Sequence, residues 1–200
     1  MKRIYITAFL LIGLAMNSNA QSFWAINWDI STGAGDTGDF IGNVNVRGAS
    51  LDGRVFINDN FAVGGHLGWS TLYEKLTDLP PIEIEKDGIS GEISGTQMHY
   101  LNVFPALVTS HYYFESGNVK PYIGLGLGGV WTEQRNDVGL RSIYADSFAF
   151  GVQPEAGVFI PIGLNSSGIN LAMKYLYGTS AGDLNSLGLF TFSVGFAFMN

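Results

Sequence analysis

Three side chains within one short segment, His66, Ser70 and Glu74, are of the types that build a nucleophile–base–acid triad. Their even spacing places all three on one face of a β-strand. Four residues of strand span about 13 Å, whereas the members of a triad must lie within hydrogen-bonding distance of one another. The spacing therefore predicts ordinary polar residues along one strand face and no hydrolytic site.

The other histidines, His99 and His111, stand outside the HxH and HxxxH spacings that are typical of zinc sites. The chain contains no cysteine, which excludes disulfides, thiolate metal sites and a lipid-modified N-terminal cysteine. We therefore expect no catalytic residue, no metal and no cofactor.

The N-terminal segment has the layout of a secretory signal peptide. Two basic residues precede a mostly apolar run from residue 4 to residue 16, and Ser18 and Ala20 are small residues at the −3 and −1 positions of a cleavage site. The apolar run is shorter than the roughly 20 residues that a membrane-spanning helix needs. We expect residues 1–20 to be a signal peptide and residues 21–200 to be one exported domain.

The predicted mature domain is acidic. Without the two basic residues of the leader it has eight basic and 17 acidic side chains, a formal net charge of −9. This balance argues against nucleic acid and anionic lipid headgroups as general partners. Charged residues make up 14% of the chain, aromatic residues another 14%, and there are 27 glycines. Together with export and the lack of a helix-length apolar run, this composition favours strands that close on themselves.

Eight segments of the mature chain alternate between apolar residues and small or polar ones. The last segment is the clearest, since Phe190, Phe192 and Phe196 alternate with Thr191 and Ser193. Each segment has roughly 9–16 residues, against the roughly 9–11 that a tilted strand needs to cross a bilayer. The segment at residues 97–113 is apolar on both faces, and its expected outward row is Leu101, Val103, Pro105 and Leu107.

The connections between these segments alternate in length. The short ones are residues 58–60, 115–120 and 163–168, and the long ones are residues 35–42, 75–96, 135–146 and 179–186. Membrane barrels with an even number of strands have short periplasmic turns and longer external loops. The sequence therefore predicts an all-β fold, an eight-stranded antiparallel up-and-down transmembrane β-barrel in the cell outer membrane.

The longest loop is predicted to contain a hairpin. Two short apolar-polar alternations flank an Asp-Gly pair, which is a strong signal for a type I′ turn. The hairpin is acidic and is expected to lie outside the cell, and its candidate interaction residues are Glu83, Glu85, Asp87, Gly88 and Glu92.

In these features the chain resembles the eight-stranded outer-membrane barrels of the OmpA, OmpX and OmpW type, the group described as outer membrane protein beta-barrel domain. The resemblance rests on VFINDNFAVGGHLGW (55–69), HYYFESGNVKPYIGLGLG (111–128) and the aromatic terminal strand, and it covers the whole mature chain. It implies a Gram-negative outer membrane, with membrane lipid and the barrel-assembly machinery as partners. Such barrels usually end on an aromatic residue, whereas Met199 and Asn200 follow Phe198 here.

An eight-stranded barrel has room inside only for side chains. Buried charges persist when they are paired and hydrogen-bonded, so we expect the inward charges to form an ion-pair network that plugs the lumen rather than an ion path. Its predicted members are Asp29, Asp52, Arg54, Glu74, Glu155 and Lys174.

Six aromatic residues are expected to face lipid or the membrane interface, with a carbohydrate-binding platform as the alternative if they extend beyond the bilayer. They are Trp24, Trp28, Trp69, Trp131, Tyr175 and Tyr177.

The sequence favours a structural or adhesion-like role, in which external loops contact an extracellular protein or another surface ligand. One alternative is an OmpW-like passage for small apolar molecules. Another is a lipid-modifying barrel enzyme of the PagP or PagL kind. PagL-type enzymes carry a histidine and a serine close together near the C-terminal end, whereas no histidine follows His111 here.

Overall fold

The computed structural model describes residues 21–76, 82–86, 89–93, 97–114, 117–138, 141–162, 167–182 and 184–199. The predicted signal peptide and the predicted turn at Asp87 and Gly88 lie outside the described residues. So do the side chains of Glu83, Glu85 and Glu92.

The described residues form ten strands and one short helix. In chain order these elements are β1 (Ser22–Gly33), α1 (Asp36–Phe40), β2 (Arg47–Phe56), β3 (Phe61–Leu76), β4 (Ile82–Lys86), β5 (Ile89–Ile93), β6 (Gln97–Tyr113), β7 (Lys120–Val138), β8 (Arg141–Pro161), β9 (Ser167–Gly178) and β10 (Leu187–Met199). Eight of the strands form one closed antiparallel barrel in the order β1-β10-β9-β8-β7-β6-β3-β2. The first and last strands close it, with Phe23 opposite Met199 and Gly33 opposite Leu189. The predicted eight-stranded up-and-down barrel is confirmed.

Alternation along each strand separates the outside of the barrel from its lumen. In β10, Phe192 and Phe196 face outward and are 43% and 48% exposed, while Ser193 and Ala197, the residues that follow them, are buried in the lumen. Closure leaves no unpaired sheet edge along the shared height of the strands, which is what allows a β-structure to cross lipid. Among the described residues, no helix is long and apolar enough to span a membrane.

The outer face carries a continuous belt of exposed apolar side chains. A water-soluble protein rarely exposes an apolar patch of more than a few hundred Å², so this belt is the surface that lipid covers. All six aromatic residues that were predicted to face outward do so, namely Trp24, Trp28, Trp69, Trp131, Tyr175 and Tyr177.

The predicted outward row of β6 is wrong. Leu101, Val103 and Leu107 are buried in the lumen together with Pro105, whereas Phe104 and Val108 face lipid. Both faces of this strand are apolar because the lumen is itself apolar at this level. Period-two alternation identifies two rows, and it cannot say which of two apolar rows faces the lipid.

The two ends of the barrel differ. Short connections, including residues 57–60, join strands at what we call the turn end, and the longer connections lie at the loop end. In outer-membrane barrels the turn end is periplasmic and the loop end faces outside. The predicted hairpin in the longest loop is present, since β4 and β5 pair from Ile82 opposite Ile93 to Lys86 opposite Ile89.

The wall is much taller on one side of the barrel. β7 and β8 have 19 and 21 residues, and they pair as far as Val138 opposite Arg141. The expectation of a long loop at residues 135–146 is therefore wrong. This part of the wall lies above the lipid, where outward residues need not be apolar. The sequence therefore shows no apolar alternation that would identify these residues as strand. On the low side, the pairing of β8 with β9 stops at Gly151 opposite Gly178.

Placing a charge in the apolar belt should destabilise the barrel. Phe192→Arg is expected to lower the free energy of unfolding from lipid vesicles by about 2–4 kcal/mol, because the guanidinium would lie in hydrocarbon. Urea titration followed by tryptophan fluorescence measures this loss. The control is Asn43→Arg, at an exposed position in the loop between α1 and β2. Equal losses in the two variants would contradict the assignment of the outer face.

Candidate functional site

The centre of the lumen holds four charged side chains in mutual contact, which we call the ionic layer: Asp52, Arg54, Glu155 and Lys174. They come from three strands, β2, β8 and β9, and each is at most 6% exposed. Strand register brings them together, because Glu155 lies directly opposite Lys174 on the neighbouring strand. Two cations thus face two carboxylates, and the formal charges of the layer balance.

Arg54 is the most enclosed of these side chains. One guanidinium nitrogen, Nη2, lies 2.8 Å from Oε1 of Glu155, and Nη1 donates a hydrogen bond of 2.8 Å to the hydroxyl of Tyr113. The guanidinium also lies over two rings, 4.8 Å from the centre of Phe23 and 4.5 Å from that of Tyr122. Cation–π contacts strengthen when water is excluded, so this one side chain connects its own strand, β2, to four others, β1, β6, β7 and β8.

Asp52 is the second centre of the layer. Its Oδ1 lies 2.9 Å from Nδ1 of His66, and its Oδ2 accepts hydrogen bonds from Asn27 at 2.7 Å and from Nζ of Lys174 at 3.3 Å. Arg54 lies 3.9 Å away and links the two carboxylates. A buried carboxylate is tolerated when its lone pairs are occupied in this way.

Neutral polar side chains extend the layer across the barrel. Asn170 donates to Oδ1 of Asn27 at 3.1 Å, and the hydroxyl of Tyr122 donates to Oδ1 of Asn170 at 2.9 Å. On the opposite side, Nε2 of His111 lies 2.7 Å from Oε1 of Glu155. The hydrogen bonds thus form two groups, one around Asp52 and one around Glu155, and the ion pair of Arg54 with Asp52 joins them across the lumen.

The other two predicted members of the network lie elsewhere. Asp29 is buried closer to the loop end and accepts a hydrogen bond from the hydroxyl of Ser193. Glu74 lies at the rim, where its Oε2 accepts a hydrogen bond of 2.8 Å from the backbone amide of Gly42. Of the six predicted residues, four therefore contact one another in the ionic layer, Asp29 bonds to a serine hydroxyl, and Glu74 anchors a loop.

Glycines on the inner wall make room for these contacts. Gly124 stands between His111 and Glu155 in the strand register, and a Cβ at this position would overlap the histidine ring. A Cβ at Gly195 would likewise overlap Oδ1 of Asn27. In a narrow barrel, small residues on one strand thus set the distance at which long polar side chains of the neighbouring strands meet.

An aromatic layer fills the turn end of the lumen. Phe23 meets Phe159 edge to face at 5.6 Å, while Tyr113 packs against Phe56 at 4.9 Å and Tyr122 at 5.1 Å. These distances are typical of stabilising aromatic pairs. The layer separates the charges of the ionic layer from the periplasmic side.

An aliphatic layer fills the loop end. Its buried members are Leu72, Leu101, Val103, Leu107, Val130, Leu176, Leu187 and Leu189, together with Ile41 from the loop that follows β1. This composition explains why β6 is apolar on both faces.

The loop after β1 folds down over this layer as a lid, formed by α1 with Ile41 and Gly42. Phe40 stacks on the ring of His99 at 4.1 Å, and Nδ1 of the histidine lies 2.8 Å from the carbonyl oxygen of Phe40. The backbone amide of Gly188 donates to Oγ1 of Thr37 at 3.0 Å. With the bond from Gly42 to Glu74, the lid is held by three different strands.

Little free space remains inside. A cavity of about 10 Å³ lies between the ionic and aliphatic layers, next to Asp29, His66 and Lys174; this is about the space that one water molecule needs. A larger cavity of about 150 Å³ lies at the mouth beneath the lid, and its floor includes Leu101 and Val130. The lumen is therefore closed below the mouth.

Several members of the site are absent from the sequence-based prediction, namely Asn27, His66, Tyr113, Tyr122 and Asn170. Asn27, His66 and Asn170 each lie an even number of residues from a predicted charge on the same strand, and this was the signal that could have identified them. Tyr113 and Tyr122 lie on β6 and β7, which carry none of the predicted charges. Predicting their contacts needed the register between strands, which alternation does not provide.

Each member of the apparent triad has a different partner. His66 contacts Asp52, Ser70 shares a hydrogen bond with Ser31 at 3.3 Å, and Glu74 binds the lid. Within the described residues, no three side chains of histidine, cysteine, aspartate or glutamate lie close enough together to hold a metal ion.

Comparison with known proteins identifies the fold. No family model and no curated protein matches this sequence. Among solved structures, Ail, the attachment invasion locus protein of Yersinia pestis, in complex with the heparin analogue sucrose octasulfate, matches at 12% identity and a TM-score of 0.52, over 92% of this chain and 100% of that one. Neisserial surface protein A matches at 14% identity and a TM-score of 0.50, over 90% and 97%.

The chain therefore has the fold of the eight-stranded bacterial outer-membrane β-barrels. The closed barrel and its exposed apolar belt make it an integral protein of the outer membrane.

Removing one partner of an ion pair in the ionic layer should destabilise the barrel. Arg54→Met is expected to lower the free energy of unfolding by about 3–5 kcal/mol, because it leaves buried carboxylates without their cation. Adding Glu155→Gln should recover part of this loss, so a double-mutant cycle with urea titration would give a coupling energy above about 1 kcal/mol.

The control for this cycle is Arg47→Met, at an exposed arginine on the outer face of the same strand. This change is expected to stay within about 0.5 kcal/mol. Additive losses for Arg54→Met and Glu155→Gln would mean that the two residues do not stabilise each other.

Proposed function

We propose that this protein is a non-conducting barrel that anchors an interaction surface to the outer membrane. Its structural or adhesion-like role is carried by the external loops, which would contact an extracellular protein or another surface ligand. The observation that supports this function is the filling of the lumen by three successive layers of buried side chains, aromatic, ionic and aliphatic.

Several features argue that the lumen is a structural support. Its charged groups are paired within the protein, which leaves no row of charges along which an ion could move. The lid adds a further closure at the loop end. Binding surfaces on such a scaffold are then those of the loops, which tolerate changes in length at little cost in free energy.

The mouth cavity is the observation that favours the alternative function, a passage for small apolar molecules. Its volume of about 150 Å³ equals that of an engineered protein cavity that binds benzene. Passage would require both the aliphatic and the ionic layer to open, which exposes buried charges and costs several kcal/mol. We therefore place this function second.

Conductance measurements separate the two functions. Purified protein in a planar lipid bilayer is expected to give no resolved channel steps, because no continuous water column crosses the three layers. A variant in which residues 35–42 are replaced by a short Gly-Ser linker should also remain silent, since the aromatic and ionic layers are intact. Discrete openings of the unmodified protein would overturn the proposed function.

The β4–β5 hairpin should lie on the cell surface and be dispensable for folding. An epitope tag at Asp87 and Gly88 is expected to bind antibody on intact cells, and deletion of residues 82–93 should preserve the heat-dependent shift in gel mobility that closed barrels show. The control is the same tag in the turn at residues 58–60, reached only after the outer membrane is breached. The reverse accessibility of the two tags would show that the orientation is inverted.

A further inference from the structure

The tall part of the wall presents an ordered surface above the membrane belt. Four neighbouring strands, β3, β6, β7 and β8, contribute outward side chains that lie directly opposite one another. One of the resulting rows, which we call the tyrosine–arginine row, consists of Tyr73, Tyr100, Arg135 and Tyr144. The row beneath it, the polar row, consists of Thr71, Asn102, Glu133 and Asp146.

The tyrosine–arginine row is a continuous stacked platform. The rings of Tyr73 and Tyr100 are 4.8 Å apart, and the guanidinium of Arg135 lies 5.3 Å from the ring centre of Tyr100 and 5.5 Å from that of Tyr144. Tyr144 is 70% exposed. Aromatic side chains held in this way offer rigid apolar faces with polar edges.

The polar row lies beside this platform and supplies hydrogen-bonding groups. Glu133 and Asp146 are direct cross-strand neighbours, an arrangement of like charges that destabilises a sheet unless a ligand or solvent compensates. Thr71 donates a hydrogen bond of 2.7 Å to Oδ1 of Asn102. Trp131 and the members of the two rows on β6, β7 and β8 line a groove of about 470 Å³, within the range of small-ligand sites.

The charges of the groove disfavour a phosphate ligand. Arg135 is the one cation among the described residues that line it, and its Nε and Nη2 lie 2.9 and 2.6 Å from the carboxylate of Asp137. Hydrogen bonds from Arg135 and Ser142 hold the pKa of Asp137 below its ordinary value, so this carboxylate balances the arginine. The carboxylates of Glu133 and Asp146 remain as acceptors, which suit a ligand rich in hydroxyl donors.

The height of the groove indicates where such a ligand comes from. Trp131 and Phe148 form the last aromatic pair of the lipid-facing belt, directly below the polar row. Arg135 lies four residues beyond Trp131 on β7. On a strand tilted by about 40° to the membrane normal, this spacing places Arg135 roughly 10 Å above Trp131. That height is at or just above the lipid headgroups, which add about 5–7 Å to each side of the hydrocarbon core.

We propose that this groove binds the neutral sugar headgroup of a glycolipid in the surrounding membrane leaflet. The sugar ring stacks its C–H face on Tyr100 and Tyr144, and its hydroxyls donate to Glu133 and Asp146. The groove lies on the outer face of the barrel, just above the lipid-facing belt and at the height of the headgroups. A membrane-anchored sugar therefore reaches it more directly than a soluble one.

This site does not depend on the state of the lumen, because all of its side chains lie on the outer face. A conducting lumen would overturn the proposed function and leave the glycolipid site unaffected. The reverse also holds, so the two proposals fail separately.

Native mass spectrometry of the protein released from nanodiscs tests the site. Nanodiscs of phosphatidylcholine would contain a minor fraction of an uncharged glycolipid, diglucosyl diacylglycerol, and the readout is the amount of glycolipid retained per barrel. Tyr144→Ala and Tyr100→Ala are expected to reduce retention about two- to tenfold, the factor expected for loss of one aromatic contact. Tyr112→Ala is the matched control, at an outward tyrosine near the turn end of β6.

Each outcome decides the proposal. Loss of retention in the two groove variants but not in Tyr112→Ala, with all variants showing the unchanged heat-dependent gel mobility of a folded barrel, supports it. Equal retention in all four proteins overturns it. Binding of the free disaccharide headgroup to the protein in pure phosphatidylcholine nanodiscs, at the affinity of the intact glycolipid, also overturns it, because the occupant would then be a soluble glycan. Retention of diacylglycerol without the sugar headgroup to the same extent overturns it as well.

Discussion

The contact between Arg54 and Glu155 sets the conditions for the rest of the lumen. A guanidinium and a carboxylate buried at the centre of a membrane barrel are stable only when they pair with each other and with polar groups around them. Tyr113 and Tyr122 meet this need by contacting Arg54, and His111 does so by contacting the carboxylate. The aromatic layer at the turn end is thus required by the charge as much as by space filling.

The ionic layer also explains the pattern of residue sizes around it. A closed barrel of eight strands has a fixed, narrow interior, so a large side chain on one strand needs a small one beside it. Gly124 and Gly195 occupy such positions next to His111 and Asn27. The glycines of the inner wall therefore serve its packing, and they are one reason why the lumen has so little free volume.

Because the lumen is filled, contacts with other molecules are made on the outside of the barrel. The structure provides two external regions of different character, the loop end with its lid and hairpin, and the tall wall formed by the longest strands. The wall is rigid because its strands are paired along their full height, whereas binding through loops requires ordering them first. This difference favours the wall for a ligand that must be held in a fixed position at the membrane surface.

The sequence by itself determined the class of fold, the strand number and most outward rows, because lipid on one side and a lumen on the other impose period two on each strand. It also identified the charges that enter the lumen. Only the tertiary structure decided which of them meet, since contact between Arg54 and Glu155 depends on closure of strands that are about 100 residues apart. The outward row of β6 and the height of the wall at Arg135 were likewise decided there. Alternation does not predict which face points outward where both faces of a strand are apolar. It also does not mark a strand where that strand lies above the lipid.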